Sequence, residues 1–335
     1  MMKKLYVLVF VLLAGITHSY GQGRALLGQY FQNLPAFSPA FTGANDYLDI
    51  RTGFRKQWAG FDNAPNTIFL SAYSPIKVNK RNPYQRNSLR GSSNGQYYKG
   101  GIKKPGVKLG VGGYVLMDEK GPFTELEIMP GLAVHVPMTR HTFLSMGLSG
   151  GLLNNSIDLD EITVVDEIND ATYLSYVNNG ASNSYFNLNF SLGIHSSRYY
   201  FSYGMMQVSR TLLSGNEQVN SEGAGTRHHL LGGYRFFAGK KWELIPNTFL
   251  RIQGNQPFFF EAGLRARYNE NLWVGTSYRN DQTFVWMLGL SFNDKINFGY
   301  AYEYKNSDFE HFNRGSHEIT LGLRLFNYGI YTPIW

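Results

Sequence analysis

The chain has 335 residues, a formal net charge of +7, 37 glycines, 16% aromatic residues and only 16% charged residues. It has no cysteine, so disulfides and thiolate metal sites are excluded, and its aromatic, glycine-rich composition suits tight strand packing between aromatic girdles better than a helical enzyme. Eight basic residues fall between Lys77 and Lys104 with no acidic residue among them, so the basic balance reports one local insertion and not a nucleic-acid footprint.

Residues 1–21 read as an export signal. Lys3 and Lys4 form a basic start, Leu5 to Ile16 an apolar stretch, and Ser19 and Gly21 the small residues before a cut that leaves Gln22 first. The apolar stretch is too short to cross a bilayer as a helix, and no later window approaches the ~20 apolar residues required. Residues 22–46 are not strand-like: Pro35, Pro39 and Gly43 interrupt Tyr30, Phe31, Phe37 and Phe41. Those rings need burial at the entrance of whatever follows, in its lumen or along its rim.

From residue 47 to 326 the chain falls into runs of alternating residues. Leu126, Ile128, Leu132, Val134 and Val136 lie on one face, with Glu125, Glu127, Gly131 and His135 on the other. The same alternation recurs at Leu144–Ser149, Phe186–Ile194, Ala262–Arg267 and Ile319–Leu325. The polar face is Gly, Ser and charges of both signs, which suits a crowded lumen. Roughly fourteen such runs predict an all-β fold, a transmembrane antiparallel β-barrel with an even strand number. Residues 327–335 are a C-terminal tail. Mean hydropathy of -0.27 is no objection, because an amphipathic barrel averages its two faces.

With both ends of the barrel domain periplasmic, the short connections Pro137–His141, Ser196–Arg198, Ala238–Lys241, Asn269–Asn271 and Asn293–Lys295 fall on the periplasmic side. The basic insertion, with Lys77, Lys80, Arg81, Arg86 and Arg90, falls there too. The acidic loop between Asn154 and Ser184, with Asp158, Asp160 and Glu161, falls outside. Each is either a solvated loop or a partner-binding surface.

No catalytic, cofactor or metal motif is present: there is no H-E-x-x-H, P-loop or G-x-S-x-G. His228 and His229 are neighbours on a strand and point to opposite faces, so they cannot share an ion. Glu125 and Glu127 face the same way, as the carboxylates of a glycosidase do. Arg51, Arg55, Arg265, Arg267 and Arg324 share that polar face, as does Glu261, which favours a lumenal charge network over a catalytic pair. Such a network argues against a wide pore.

Gln29-Tyr30, Asn33 and Ser38-Pro39-Ala40-Phe41-Thr42-Gly43 resemble the Q-Y…N…N-P-A-x-x-G opening of the PorP/SprF family, with Ser38 in place of the usual Asn. Phe54-Arg55-Lys56-Gln57-Trp58-Ala59-Gly60-Phe61, then Ala64-Pro65 and Thr67, is similar to that family's Y-R-x-Q-W-x-G…P-x-T block. Gly110-Val111-Gly112-Gly113-Tyr114 with Asp118 and Gly121-Pro122 resembles its G-x-G-G…D-x-x-G-P hairpin. Gly275–Arg279, Ile296–Tyr302 and Gly315–Ile319 extend the likeness across the mature chain. The basic insertion is longer than the family pattern. The resemblance implies a non-enzymatic outer-membrane component of the type IX secretion and gliding apparatus of Bacteroidetes. Its expected partners are periplasmic ring or peptidoglycan-linked proteins of that apparatus, the C-terminal domain of a secreted surface protein, and outer-membrane lipid. A porin or small-solute channel is the alternative.

Overall fold

A computed structural model describes residues 27–326, except 62, 77–105, 140, 165–169, 171–172, 175, 178–179, 216–224, 255, 293–294 and 306–314. The signal segment, the basic insertion and the C-terminal tail therefore lie outside the described residues.

The strands run in chain order as β1 (Leu48–Lys56), β2 (Asn66–Pro75), β3 (Lys108–Lys120), β4 (Phe123–Pro137) and β5 (Thr142–Ile157). Then follow β6 (Ser182–Ser196), β7 (Tyr199–Ser214), β8 (Arg227–Tyr234), β9 (Phe236–Ala238) and β10 (Trp242–Gln253). The last are β11 (Phe259–Tyr268), β12 (Leu272–Arg279), β13 (Thr283–Phe292), β14 (Ile296–Lys305) and β15 (Ser316–Leu325). Each pairs antiparallel with its neighbours, and β1 pairs with both β2 and β15, so the sheet closes on itself. β8 and β9 both pair with β10 and form one wall strand broken at Arg235. The result is a closed barrel of fourteen strands, the even number that alternation and connection lengths require.

Period-two alternation decides which residues meet lipid. Along β4, Leu132 is 59% exposed and its neighbour Ala133 3%. Outward positions form an apolar belt that burial within the protein does not explain, the mark of a wall facing lipid. Aromatic residues border it, with Tyr234, Phe236 and Trp242 exposed towards one end and Phe284, Trp286 and Tyr278 towards the other.

The wall is uneven in height. β4 to β7 have 15 or 16 residues each, whereas β11 to β15 have 8 to 10. On β5 the outward face is apolar up to Leu152 and then turns polar: Asn154 donates to Ser182 and Ser184 Oγ, both at 2.9 Å. The upper part of this wall therefore stands above the lipid belt. Partway up, the β6–β7 register shifts between Leu188 and Phe190, where Gln207 adopts φ 56°. The side chain of Asn189 accepts the Gln207 N–H at 2.8 Å, satisfying a donor that the bulge removes from the ladder.

Candidate functional site

The lumen is filled by the chain's own N-terminal segment. Residues 30–41 form a 3-10 turn, one helical turn α1 (Leu34–Phe37) and a second 3-10 turn. Pro35 sits in the first turn of α1 and Pro39 opens the second 3-10 turn, places where a missing N–H costs nothing. Too short and Pro-rich to be stable alone, these turns are held by burial: Tyr30, Phe31, Leu34, Phe37 and Phe41 are all buried. Phe31 meets Trp273 edge-on with centroids 5.5 Å apart, and Phe37 and Tyr30 pack on Phe249 at 5.5 and 5.3 Å.

Polar contacts fix the segment around the whole circumference. Tyr30 Oη donates to Asn247 on β10 at 3.0 Å, and the Ala40 N–H to Ser191 on β6 at 2.6 Å. His135 on β4 bonds the Thr42 carbonyl at 2.9 Å, and His229 on β8 the Phe37 carbonyl at 3.1 Å. Lys108 on β3 donates to the Ala44 carbonyl and to Asp46 at 2.6 and 2.7 Å. Two glycine contacts make the seat close: a Cβ on Gly110 would strike the Thr42 carbonyl, and one on Gly147 the backbone of Pro39.

The segment also has a direction. The Leu27 carbonyl accepts Arg279 Nη2 at 3.2 Å, at the end of the barrel where the longer connections lie. Tyr47 precedes β1 at the opposite end, the end of the short turns, so residues 27–47 cross the lumen. On the assignment expected from the sequence, which puts the short turns on the periplasmic side and the long β2–β3 connection with them, the Tyr47 end is periplasmic and the Leu27 end extracellular.

At the extracellular end five buried charges clamp the start of this plug. Arg55 Nη2 bonds Glu303 at 2.6 Å, and Arg279 bonds Glu303 at 3.1 Å and Glu261 at 2.7 Å. Glu318, 4.0 Å from Arg55, accepts the Gly28 N–H at 2.6 Å and the Gln29 N–H at 3.0 Å. At the periplasmic end Arg51 forms a two-point pair with Asp49 at 2.9 and 3.0 Å and donates to Gln32 at 3.0 Å. Arg267 pairs with Glu243. Arg265 lies 3.6 Å over the Phe31 ring and Arg324 5.4 Å over Tyr47.

All eight residues of the predicted lumenal set thus face inward, but the structure does not gather them into one network. Arg55 and Glu261 belong to the upper clamp, and Arg51, Arg265, Arg267 and Arg324 to the lower lumen. Glu125 and Glu127 lie on β4, where Glu127 accepts the Tyr114 hydroxyl at 2.8 Å. Asp49, Glu243, Arg279, Glu303 and Glu318 carry the ion pairs that completed the picture. Each sits at an inward position of its strand, so alternation was the signal that finds them.

Outside the lumen, Asp158, Asp160 and Glu161 are exposed in the connection after β5, where Asp158 accepts the Asp160 N–H at 3.0 Å. Lys77, Lys80, Arg81, Arg86 and Arg90 lie outside the described residues. Their connection joins β2 to β3 at the short-turn end. His228 and His229 do point oppositely: His228 bonds Tyr203 on the outer face at 2.7 Å, while His229 holds the plug. Among the described residues no group of three or more His, Asp or Glu could hold a metal ion.

Comparison with known proteins bears on the same barrel. No curated relative matches the chain. Among solved structures it is similar to the outer membrane protein Omp33 of Acinetobacter baumannii, with 7% identity, TM-score 0.44, and 85% of this chain and 100% of that one covered. The toluene transporter TbuX of Ralstonia pickettii gives 8% identity and TM-score 0.44 over 86% and 92% of the two chains. The monoaromatic hydrocarbon channel CymD gives 11% and 0.46 over 91% and 94%. A family model, described as type IX secretion system membrane protein PorP/SprF, matches residues 19–323. That span takes in the plug, the clamp and nearly the whole wall, and the chain is an outer-membrane β-barrel of the PorP/SprF family.

Proposed function

We propose that this barrel is a non-enzymatic, plugged component of the type IX secretion and gliding apparatus, helping to export or surface-anchor a secreted protein through protein–protein contacts. The observation that carries this reading is the plug, whose rings fill the lumen while its backbone is bonded to strands on all sides. A lumen so filled leaves the loops and the rims as working surfaces. The two strongly charged connections offer them, one basic on the periplasmic side and one acidic outside.

The basic connection, Lys77 to Lys104, is the docking element for an acidic periplasmic partner of the apparatus, either a ring or a peptidoglycan-linked protein. Like charges in a run repel one another, and an exposed interface of this kind is screened over about 10 Å at 0.1 M salt. The acidic loop with Asp158, Asp160 and Glu161 faces the exported protein's C-terminal domain.

The experiment is charge reversal at Lys80, Arg81, Arg86 and Arg90, read by secretion of the cargo and by salt-sensitive co-purification of apparatus proteins. Secretion should fall while the barrel still assembles. Unimpaired secretion with all four reversed removes the docking role. Large, steady single-channel currents from the intact protein would replace the whole reading by that of a channel.

A further inference from the structure

The wall has a step between β7 and β8. β7 runs to Ser214, whereas β8 reaches only to Arg227, which stands opposite Met206. Residues 208–214 therefore pair with β6 alone, and among the described residues no other strand borders their far edge. From Ser209 to Leu212, opposite Leu188 to Tyr185, the ladder is regular, and a register shift bounds it at each end. Residues 208–214 include neither Lys nor Pro, which commonly blunt a free edge. Val208 and Leu213 are 46% and 57% exposed.

The edge climbs out of the lipid belt. Ser209 is level with the exposed, apolar Leu188, and Ser214 with Ser184, whose hydroxyl Asn154 bonds at 2.9 Å. Backbone N–H and C=O groups along such an edge need partners, most of all beside lipid, where no water substitutes. An extended segment laid against β7, as β8 is lower down, supplies them. Inward side chains beside the edge also lack partners. Both side-chain atoms of Asn187, 1% exposed, and Oε1 of Gln207 have no hydrogen bond. Arg210, directly opposite Asn187, is half-buried, lies 3.8 Å from the Tyr185 ring centroid, and makes no ion pair among the described residues.

These features also select the occupant. Arg210 favours a segment with a carboxylate on its inward face, and Val208 and the neighbouring lipid favour apolar residues on its outward face. A second copy of this chain does not fit. Two barrels in one membrane are related by an axis along its normal, and strands tilted about 35–45° from that normal would cross at about 70–90°, too steeply to pair.

We propose that residues 208–214 of β7 are a strand-addition site for an extended segment of a partner protein, apolar outward and with an acidic side chain inward against Arg210. This goes beyond the function proposed above and does not depend on it.

The test uses the folded, detergent-solubilised barrel and a fluorescent seven-residue peptide of alternating threonine and valine with one central glutamate. Anisotropy should show saturable binding, and a benzophenone on the peptide should crosslink within residues 208–214. The same peptide N-methylated at every residue, which cannot donate to a ladder, should not bind. Arg210→Glu should weaken binding about tenfold, a difference of one ion pair, and should accept in return a peptide with lysine for glutamate. Its heat-dependent gel shift checks that it still folds. No saturable binding, equal binding of the N-methylated peptide, or parental affinity for the glutamate peptide in folded Arg210→Glu protein overturns the proposal.

Discussion

Glu318 on the last strand accepts the backbone N–H of Gly28 at 2.6 Å, and the two residues are 290 positions apart in the chain. Its second oxygen takes the Gln29 N–H at 3.0 Å, so one carboxylate fixes the start of the plug at two points. Both oxygens are needed as acceptors. Glu318→Gln keeps one and turns the other into a donor facing an N–H. The expected loss is about 1–3 kcal/mol at the clamp. In planar bilayers it should appear as brief openings that the parent protein lacks, with the barrel still folded.

Removing the cation of the upper clamp is expected to be more severe. Arg279 bridges Glu261 and Glu303, and Arg279→Leu leaves both carboxylates buried near each other without it. Breaking a buried pair from one side costs about 3–5 kcal/mol. The temperature at which the folded band converts to the unfolded one on gels should drop clearly, and a shift no larger than for a lipid-facing Leu→Ala change contradicts the assignment.

The plug's seat can be blocked without touching a charge. Gly110→Val places a side chain where the Thr42 carbonyl lies. Wall pairing of β3 is unaffected in principle, so the protein should still reach the outer-membrane fraction with a heat-dependent gel shift. Its conductance should rise well above that of the intact protein, which should conduct poorly. Equal, low conductance in both would mean that the plug does not close the lumen.

Sidedness is tested with single cysteines in a chain that has none of its own. An impermeant thiol reagent on whole cells should label Asp160→Cys in the acidic connection and spare Ser92→Cys in the basic one. The opposite pattern inverts the topology and removes the periplasmic docking role.

The wall was largely legible in the sequence because one face meets lipid and the other a packed lumen, and both impose a period of two. Leu126 to Val136 shows it plainly. Charge pairing was not legible, since partners depend on register across hairpins and across closure. Arg55 stands directly opposite Glu318 only because β1 pairs with β15, and Arg279 opposite Glu261 only through the β11–β12 register. Glu125 and Glu127 are of the right type and face, and the neighbouring strand β3 brings Tyr114 to Glu127. The plug's path has no periodicity to reveal it. Its course follows from glycine contacts and from bonds to side chains spread over the whole chain.

The plug also bears on the order in which the molecule can assemble. With β8 and β9 taken as the one broken wall strand, every wall contact but one joins strands that are neighbours in sequence, and the exception is the seam between β1 and β15. Gln32 spans that seam: it accepts from Arg51 of β1, 19 residues away, and donates to Thr320 of β15 at 3.0 Å, 288 residues away. The tie to β1 is local and closes a short loop, whereas the tie to β15 must wait for the final strand. A plug already resting on β1 therefore offers the arriving strand partners beyond the ladder itself. The strand that seals the wall is thus the same one that completes the plug's anchorage, through Thr320 and Glu318.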